Sequence, residues 1–329
     1  MMNGITDKTP NLLQNKMNFR FNRTFIIHHS SFIILGMQVV VFGKQYKDKD
    51  LPHIQALFDT LYANGITTYV YTPYLRDLED KVRFDGPYAP FDGYRDFRVH
   101  RIDFVIVLGG DGTMLNAVTL IRDAGVPMLG INLGRLGFLA SIDKHHIADS
   151  IGKLAAGRYN INERAMLYLE SSPELFGDIP FALNDCTLLK RDTSSMITIH
   201  TFLNGDYLNS YWADGIVIAT PTGSTAYSLS CGGPIVLPNS GNFVITPVAP
   251  HNLNLRPIVL SDQSVISFEI EGRGDNFICT LDSRFELITS KHQLAVRLND
   301  FRIKLVQLQD TTFLQTLREK LTWGADMRN

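Results

Sequence analysis

The sequence predicts an α/β plus β protein. A Rossmann-like N-terminal α/β domain with a parallel sheet is followed by a mostly antiparallel, β-sandwich-like domain, and a C-terminal segment packs back. Two observations carry this reading. From residue 37 to about 158, apolar strand-like runs alternate with helical stretches, the pattern of β-α-β units whose helices cover a parallel sheet. After about 160 the helical period gives way to short strand-like runs separated by turn residues. The length of 329 residues fits two domains at roughly 100–200 residues each.

The elements follow in order. QVVVFG (38–43) is an apolar strand, and Leu51 to Ala63 places Leu51, Ile54, Leu57, Phe58, Leu61 and Tyr62 at helical spacing. Asn64-Gly65 ends that helix as a C-cap. ITTYVY (66–71) is the second strand, and residues 73–96, rich in Pro, Gly, Asp and Tyr, read as an irregular connection. DFVIVLGG (103–110) is a buried strand ending in glycines. A helix is expected from Met114 to Ala124, a strand over 126–132 and a helix from Ile142 to Leu154. Runs such as MLYLESS, FALNDCTLLK, MITIHTFLNG, FVITPV and LAVRLND, with turns at 204–206, 273–276 and 298–300, make the β-rich part. Thr311 to Lys320 suits a closing helix. The expected domain limits are 37–158, 159–305 and a returning tail over 306–329, with residues 1–36 an extension outside the fold and Met37 a candidate true start of translation.

Composition bounds the function. Lys+Arg 31 against Asp+Glu 33 gives a net charge of -2, which argues against a strongly basic nucleic-acid surface. The FIIHHSSFIILG run (25–36) is too short and too polar for a membrane span. The uncharged stretch from Gly215 to Leu255 is broken by Gly, Pro, Ser, Thr and Asn, so it is expected to be buried or to lie against a ligand. Cys186, Cys231 and Cys279 are far apart and lack zinc spacing, which suits free thiols in the cytoplasm.

Three segments carry candidate chemistry. Gly109-Gly110-Asp111-Gly112-Thr113 follows a buried strand and precedes a helix. Such glycines let backbone N–H groups approach phosphate oxygens, and the helix start adds partial positive charge. A carboxylate there would repel phosphates, so Asp111 is expected to orient or deprotonate an attacking hydroxyl, or to hold hydrated Mg²⁺. The structural alternative is a helix-capping turn. Gly130-Ile131-Asn132-Leu133-Gly134-Arg135-Leu136-Gly137-Phe138 is a second glycine-rich strand end, where Arg135 could face phosphate. In Asp214-Gly215…Thr220-Pro221-Thr222-Gly223-Ser224-Thr225-Ala226-Tyr227-Ser228, a strand leads to a hydroxyl-rich turn suited to a sugar and base, or else to a turn that satisfies itself.

Together GGDGT, the GxNxGxxGF loop, Asn184-Asp185, DGxxxxTPTGSTAYxxSxGGP and the 249–257 segment resemble the NAD kinase family, from Met37 to about residue 320. GGDGT alone is shared with diacylglycerol kinases, sphingosine kinases and phosphofructokinases; TPTGSTAY is the specific part. The resemblance implies phosphoryl transfer from ATP or another donor, with Mg²⁺, to the 2′-hydroxyl of the adenosine ribose of NAD, giving NADP. It implies Asp111 as base. It implies Gly109, Gly110, Gly112, Thr113 and Arg135 at the donor phosphates. It implies Asp111, Gly112, Asn184, Asp185, Asp214, Thr222, Ser224, Thr225, Ala226, Tyr227, Ser228 and Asp282 around NAD. No direct protein ligand to a metal is assigned. Asp185 stands where the family usually has Glu. The resemblance also implies a homodimer or homotetramer formed through the β domain, and no nucleic-acid or membrane partner. Tyr211, Trp212 and the strand edges are candidate interface residues, with the core the favoured place for either side chain. The competing readings are a lipid or sphingoid-base kinase of the same superfamily and a catalytically silent NAD sensor.

Overall fold

The computed structural model describes residues 36–191, 195–309 and 312–322. The expected extension lies outside them except for Gly36, as does the tail beyond 322. In chain order the first part comprises β1 (Gln38–Gly43), α1 (Leu51–Ala63), β2 (Thr67–Tyr71), α2 (Thr72–Leu78), β3 (Tyr88–Phe91), β4 (Phe104–Leu108), α3 (Asp111–Ile121), β5 (Met128–Asn132), β6 (Ile142–Asp143), α4 (Ile147–Ala155) and β7 (Tyr159–Arg164). Then follow β8 (Leu167–Ser172), β9 (Phe181–Ala182), β10 (Asp185–Lys190), β11 (Ile197–Leu203), β12 (Asp206–Ala213), β13 (Gly215–Ala219) and the single turn α5 (Tyr227–Ser230). Next come β14 (Asn242–Val248), β15 (Ile258–Ser261), β16 (Ile266–Glu271), β17 (Phe277–Leu281), β18 (Arg284–Ile288), β19 (Gln293–Leu298), β20 (Ile303–Leu308) and α6 (Phe313–Leu321).

The first sheet has the order β3-β2-β1-β4-β5-β20-β7, with β6 beside β5, and is parallel except for the β20–β7 pair. Its central strands are covered on both faces, which is why they read as unbroken apolar runs. Val39 and Val41 pack with α1 and α4 on one face; Val40 and Phe42 pack with α3 on the other. From β1 the chain builds outward through β2 and β3 on one side and through β4 and β5 on the other. The loops leaving β1 and β4 therefore diverge and open a crevice at the carboxyl ends of these strands, the place where open α/β sheets bind ligands.

The other strands form two antiparallel sheets, β15-β14-β13-β10-β17-β18 and β12-β11-β16-β19-β8-β9. Their inner faces share one core: Leu188, Ile216, Ile218 and Phe243 from the first meet Leu169, Ile199, Phe268 and Val296 from the second. In β16, Ile266, Phe268 and Ile270 point inward while Glu269 and Glu271 face out, the period-2 alternation of a sandwich strand.

Several expectations need correction. The connection over 73–96 contains α2, β3 and a short 3₁₀ turn, Tyr94–Arg98. Pro73 lies in the first turn of α2, where its missing N–H costs nothing, and Pro90 lies on the edge strand β3. Helix α3 starts at Asp111 and ends at Ile121, so both of its ends lie three residues before the expected ones and the glycine turn is correspondingly shorter. Only Ile147–Ala155 of the 142–154 stretch is α-helical. β15 carries no alternation that the sequence reveals. Finally, β7 and β20 pair in the first sheet, so strands of that sheet lie beyond the limits expected at 158/159 and on both sides of 305/306.

Candidate active site

The crevice at the β1/β4 divergence is a cleft of about 850 Å³. Gly109, Gly110, Gly112 and Thr113 form one wall, and Lys44, Lys47 and Lys49 from the loop after β1 form another. Gly109 has φ +149°, and a Cβ on it would stand 2.3 Å from Thr113 Oγ1, so the turn into α3 requires glycine. At Gly110 and Gly112 a Cβ would meet nothing within 4 Å beyond its chain neighbours and its own helix backbone. The fold thus leaves open space over the first amides of α3, where an anion is favoured. Lys44 Nζ donates to Asn116 Oδ1 at 2.8 Å, tying the lysine loop to α3. Deeper in, burial raises the pKa of Asp50, but Lys144 Nζ at 2.7 Å and the Lys47 amide outweigh burial and hold it below its ordinary value.

Asp111 opens α3 but turns its carboxylate away from this cleft. Oδ1 accepts the amides of Leu139 (2.9 Å) and Ala140 (3.0 Å), and Oδ2 accepts that of Phe138 (2.9 Å). Gly137 makes this approach possible, because a Cβ there would lie 2.0 Å from Asp111 Oδ1. With two lone pairs per oxygen, Oδ1 is fully used and Oδ2 keeps one acceptor position. Leu115, one helical turn on from Asp111 and so on the same face of α3, lines a second, smaller pocket.

That pocket, about 310 Å³, is bordered by Asn184, Asp185, Ala226, Tyr227 and Asp282 among others. Ser283 lines both pocket and cleft, so the two adjoin. Asp282 has φ +54° and is the hub of the pocket floor. Its Oδ1 accepts the amides of Asn184 (2.7 Å) and Asp185 (3.2 Å), and its Oδ2 accepts that of Leu183 (2.9 Å). Burial raises the pKa of Asp282 against these three bonds. Arg284, the first residue of β18, donates from Nη1 to the Ile179 carbonyl at 2.5 Å and from Nη2 to that of Phe181. Asp185 is pushed up to about 7, first by burial and then by the nearby Asp282 carboxylate.

Models of the ATP-NAD kinase N-terminal and C-terminal domains match residues 39–159 and 183–308. The NAD kinase of Cytophaga hutchinsonii is 45% identical over 288 residues, covering 87% of this chain and 98% of that protein. The chain belongs to the NAD kinase family. The NAD kinase of Flavobacterium psychrophilum is 43% identical over 89% of this chain and 100% of its own length. In fold, the chain is similar to yeast NADH kinase, solved in complex with NADH (TM-score 0.78, 24% identity, 89% of each chain). It is also similar to an NAD kinase from Archaeoglobus fulgidus, solved in complex with ATP (TM-score 0.67, 22% identity, 87% of this chain and 99% of that one).

For this member of the NAD kinase family, the structure sorts the expected site residues. Gly109, Gly110, Gly112 and Thr113 line the large cleft, and Asn184, Asp185, Ala226, Tyr227 and Asp282 line the small pocket. Ser224 does neither: it is fully buried, and its hydroxyl donates to the Pro221 carbonyl at 2.7 Å while accepting the Val236 amide at 3.0 Å. Ser228 is equally buried against Thr246. Thr222 is buried, and its carbonyl accepts the Thr225 hydroxyl, so the hydroxyls of Ser224, Thr225 and Ser228 all have protein partners. Asp214 is ion-paired with Lys190 at 2.5 Å, at the far end of the β10–β13 pair from Asp185. Arg135 is exposed and lines neither space. The cleft lysines were not anticipated. The signal was present in Lys44-Gln45-Tyr46-Lys47-Asp48-Lys49, directly after a parallel strand.

The buried Asp185 makes stability depend on pH. Its folded pKa of about 7 exceeds the ordinary 3.8, so its stabilising share is complete below 3.8 and is lost as pH rises through 7. Asp185→Asn is expected to match the parent near pH 4 and to melt higher at pH 8, each kcal/mol appearing as roughly 2–4 °C. A melting difference that is the same at both pH values would contradict this.

Proposed function

We propose that this chain phosphorylates NAD to NADP, transferring the terminal phosphoryl group of ATP to the 2′-hydroxyl of the adenosine ribose. The observation that carries the reading is the pairing of two adjoining spaces along α3, the helix that Asp111 opens: Gly112, Thr113 and Asn116 line one and Leu115 lines the other. The large cleft, walled by lysines and open glycine amides, suits a polyphosphate; the small pocket, where Leu115, Leu189 and Tyr227 stand beside Asn184 and Asp185, suits a nucleoside. Asp111 uses its remaining Oδ2 position to orient the 2′-hydroxyl and accepts its proton late, as a loose phosphoryl-transfer transition state allows. Thr113 and the amides of α3 hold phosphate oxygens, while Asn184 and Asp185 hold the adenosine.

A divalent ion such as Mg²⁺ neutralises charge on the donor phosphates when bound. Among the described residues no group of three or more His, Cys, Asp or Glu side chains forms a cage for one, so the ion is proposed to arrive with ATP. Replacing Lys44 and Lys47 by Ala should raise KM for ATP by roughly 10–100-fold, the scale of lost charge-assisted bonds, and leave KM for NAD nearly unchanged. Equal effects on both substrates would contradict the assignment of the cleft to the donor.

We further propose a homodimer or homotetramer acting in the cytoplasm. Its contact patch is Trp212, half exposed and stacked on His251 at 4.2 Å, with Leu253 at 83% exposure. Tyr211, the other candidate, is buried in the core. Light scattering should show a lower mass for Trp212→Lys than for the parent. No helix among the described residues is long and apolar enough to cross a membrane, and Cys186, Cys231 and Cys279 are free.

A further inference from the structure

A buried cation sits behind the loop that holds Asp111. Arg164, the last residue of β7, is only 8% exposed, and its Nε has no hydrogen-bond partner. Among the described residues it forms no ion pair. Burial alone pulls its guanidinium down to about 10, with no carboxylate acting against that cost. An isolated buried charge is expensive and is normally paired.

The space beside it is shaped for the missing charge. Arg164 lines a cavity of about 40 Å³ together with Ser141, Asn162, Thr312 and Thr316. At about 10–15 Å³ per water position, this holds roughly three waters or one small oxyanion. Helix α6 begins at the same cavity. Thr312 is its N-cap, with Oγ1 accepting the Gln315 amide at 3.2 Å. The first-turn amides of α6 bring the partial positive charge of a helix start. The cavity thus combines a guanidinium, a helix N-terminus and neutral donors, and none of its lining residues is acidic. Phe138 and Leu139, whose amides hold Asp111, form its opposite wall.

We infer that Arg164 and the start of α6 form a binding site for a small inorganic oxyanion of the phosphate class, separate from the nucleotide cleft. The test is thermal melting with inorganic phosphate against chloride at constant ionic strength. It is run in a Lys44→Ala/Lys47→Ala/Lys49→Ala background, so that the large cleft contributes little. Phosphate should raise the melting temperature on the order of 5 °C at saturation. Adding Arg164→Met should abolish that rise and, by removing the unpaired charge, should raise the melting temperature in chloride. Ser141→Asp, which places a carboxylate in the cavity, should do the same while keeping Arg164. An undiminished phosphate response in Arg164→Met would overturn the inference. Should Arg164→Met not fold, an undiminished response in Ser141→Asp would overturn it equally. Absence of any phosphate response in the lysine-free background would likewise refute a separate site.

Discussion

Asp111→Asn is expected to lower turnover by ~10²–10⁴-fold, the scale of a lost general base, and to destabilise the fold at the same time. The two effects have one origin. The carboxylate accepts the amides of Phe138, Leu139 and Ala140 on both of its oxygens. An asparagine retains one acceptor oxygen, which can keep Leu139 and Ala140. Its amide group then meets the Phe138 N–H donor to donor. Hydrogen bonds to charged groups contribute about 1.5–3 kcal/mol each, so a drop of several degrees in melting temperature should accompany the kinetic loss. The free acceptor position on Oδ2, which the proposal reserves for the 2′-hydroxyl, is also lost. Steady-state kinetics and melting curves on one preparation check both. Wild-type turnover in the variant would remove Asp111 from the mechanism, whatever the melting curve shows.

Gly223→Ala should be comparably severe, although residue 223 carries no reactive group. A Cβ there would stand 2.0 Å from the Asn184 carbonyl oxygen and 2.4 Å from its carbon. These are backbone atoms at the entry to β10, tied further by the Thr220 amide on the same carbonyl at 2.9 Å. They cannot swing aside as a side-chain tip would. Either the 220–228 turn or the Asn184-Asp185 segment must move, and each borders the small pocket. Overpacking of this kind costs about 1–3 kcal/mol, and misplacing a binding group by about 1 Å can cost 10²-fold in rate. The expected result is a loss of ~10²-fold or more in kcat/KM for NAD with a smaller change in KM for ATP. Near-wild-type kinetics with NAD would mean that the turn does not position the acceptor.

Much of this architecture was legible in the sequence. Strands β1, β4 and β5 were plain because burial on both faces makes them uninterrupted apolar runs. Sandwich strands such as β11 and β16 were plain because one face of each is wetter than the other. α2 and β3 were hidden by Pro73 and Pro90, which look like breakers but occupy a helix start and a sheet edge. GGDGT and TPTGSTAY marked the right neighbourhood, yet not the division of labour within it. The hydroxyls of Ser224 and Ser228 carry the same letters whether they meet a ligand or close a turn; only their partners at Val236 and Thr246 decide. The amides that fix Asp111 come from a loop 27 to 29 residues away, and no local pattern reveals them. Arg135 was read from its charge, but the chain leaves it exposed, while three lysines after β1 line the cleft.

The most direct test of the account is to incubate the purified protein with NAD, ATP and Mg²⁺ and to follow NADP with an NADP-specific dehydrogenase alongside ADP release. The account predicts NADP accumulating in step with ADP, and both nearly lost in Asp111→Asn. ADP released without NADP, or no NADP from any phosphate donor while NAD binds measurably, would contradict phosphoryl transfer to the dinucleotide.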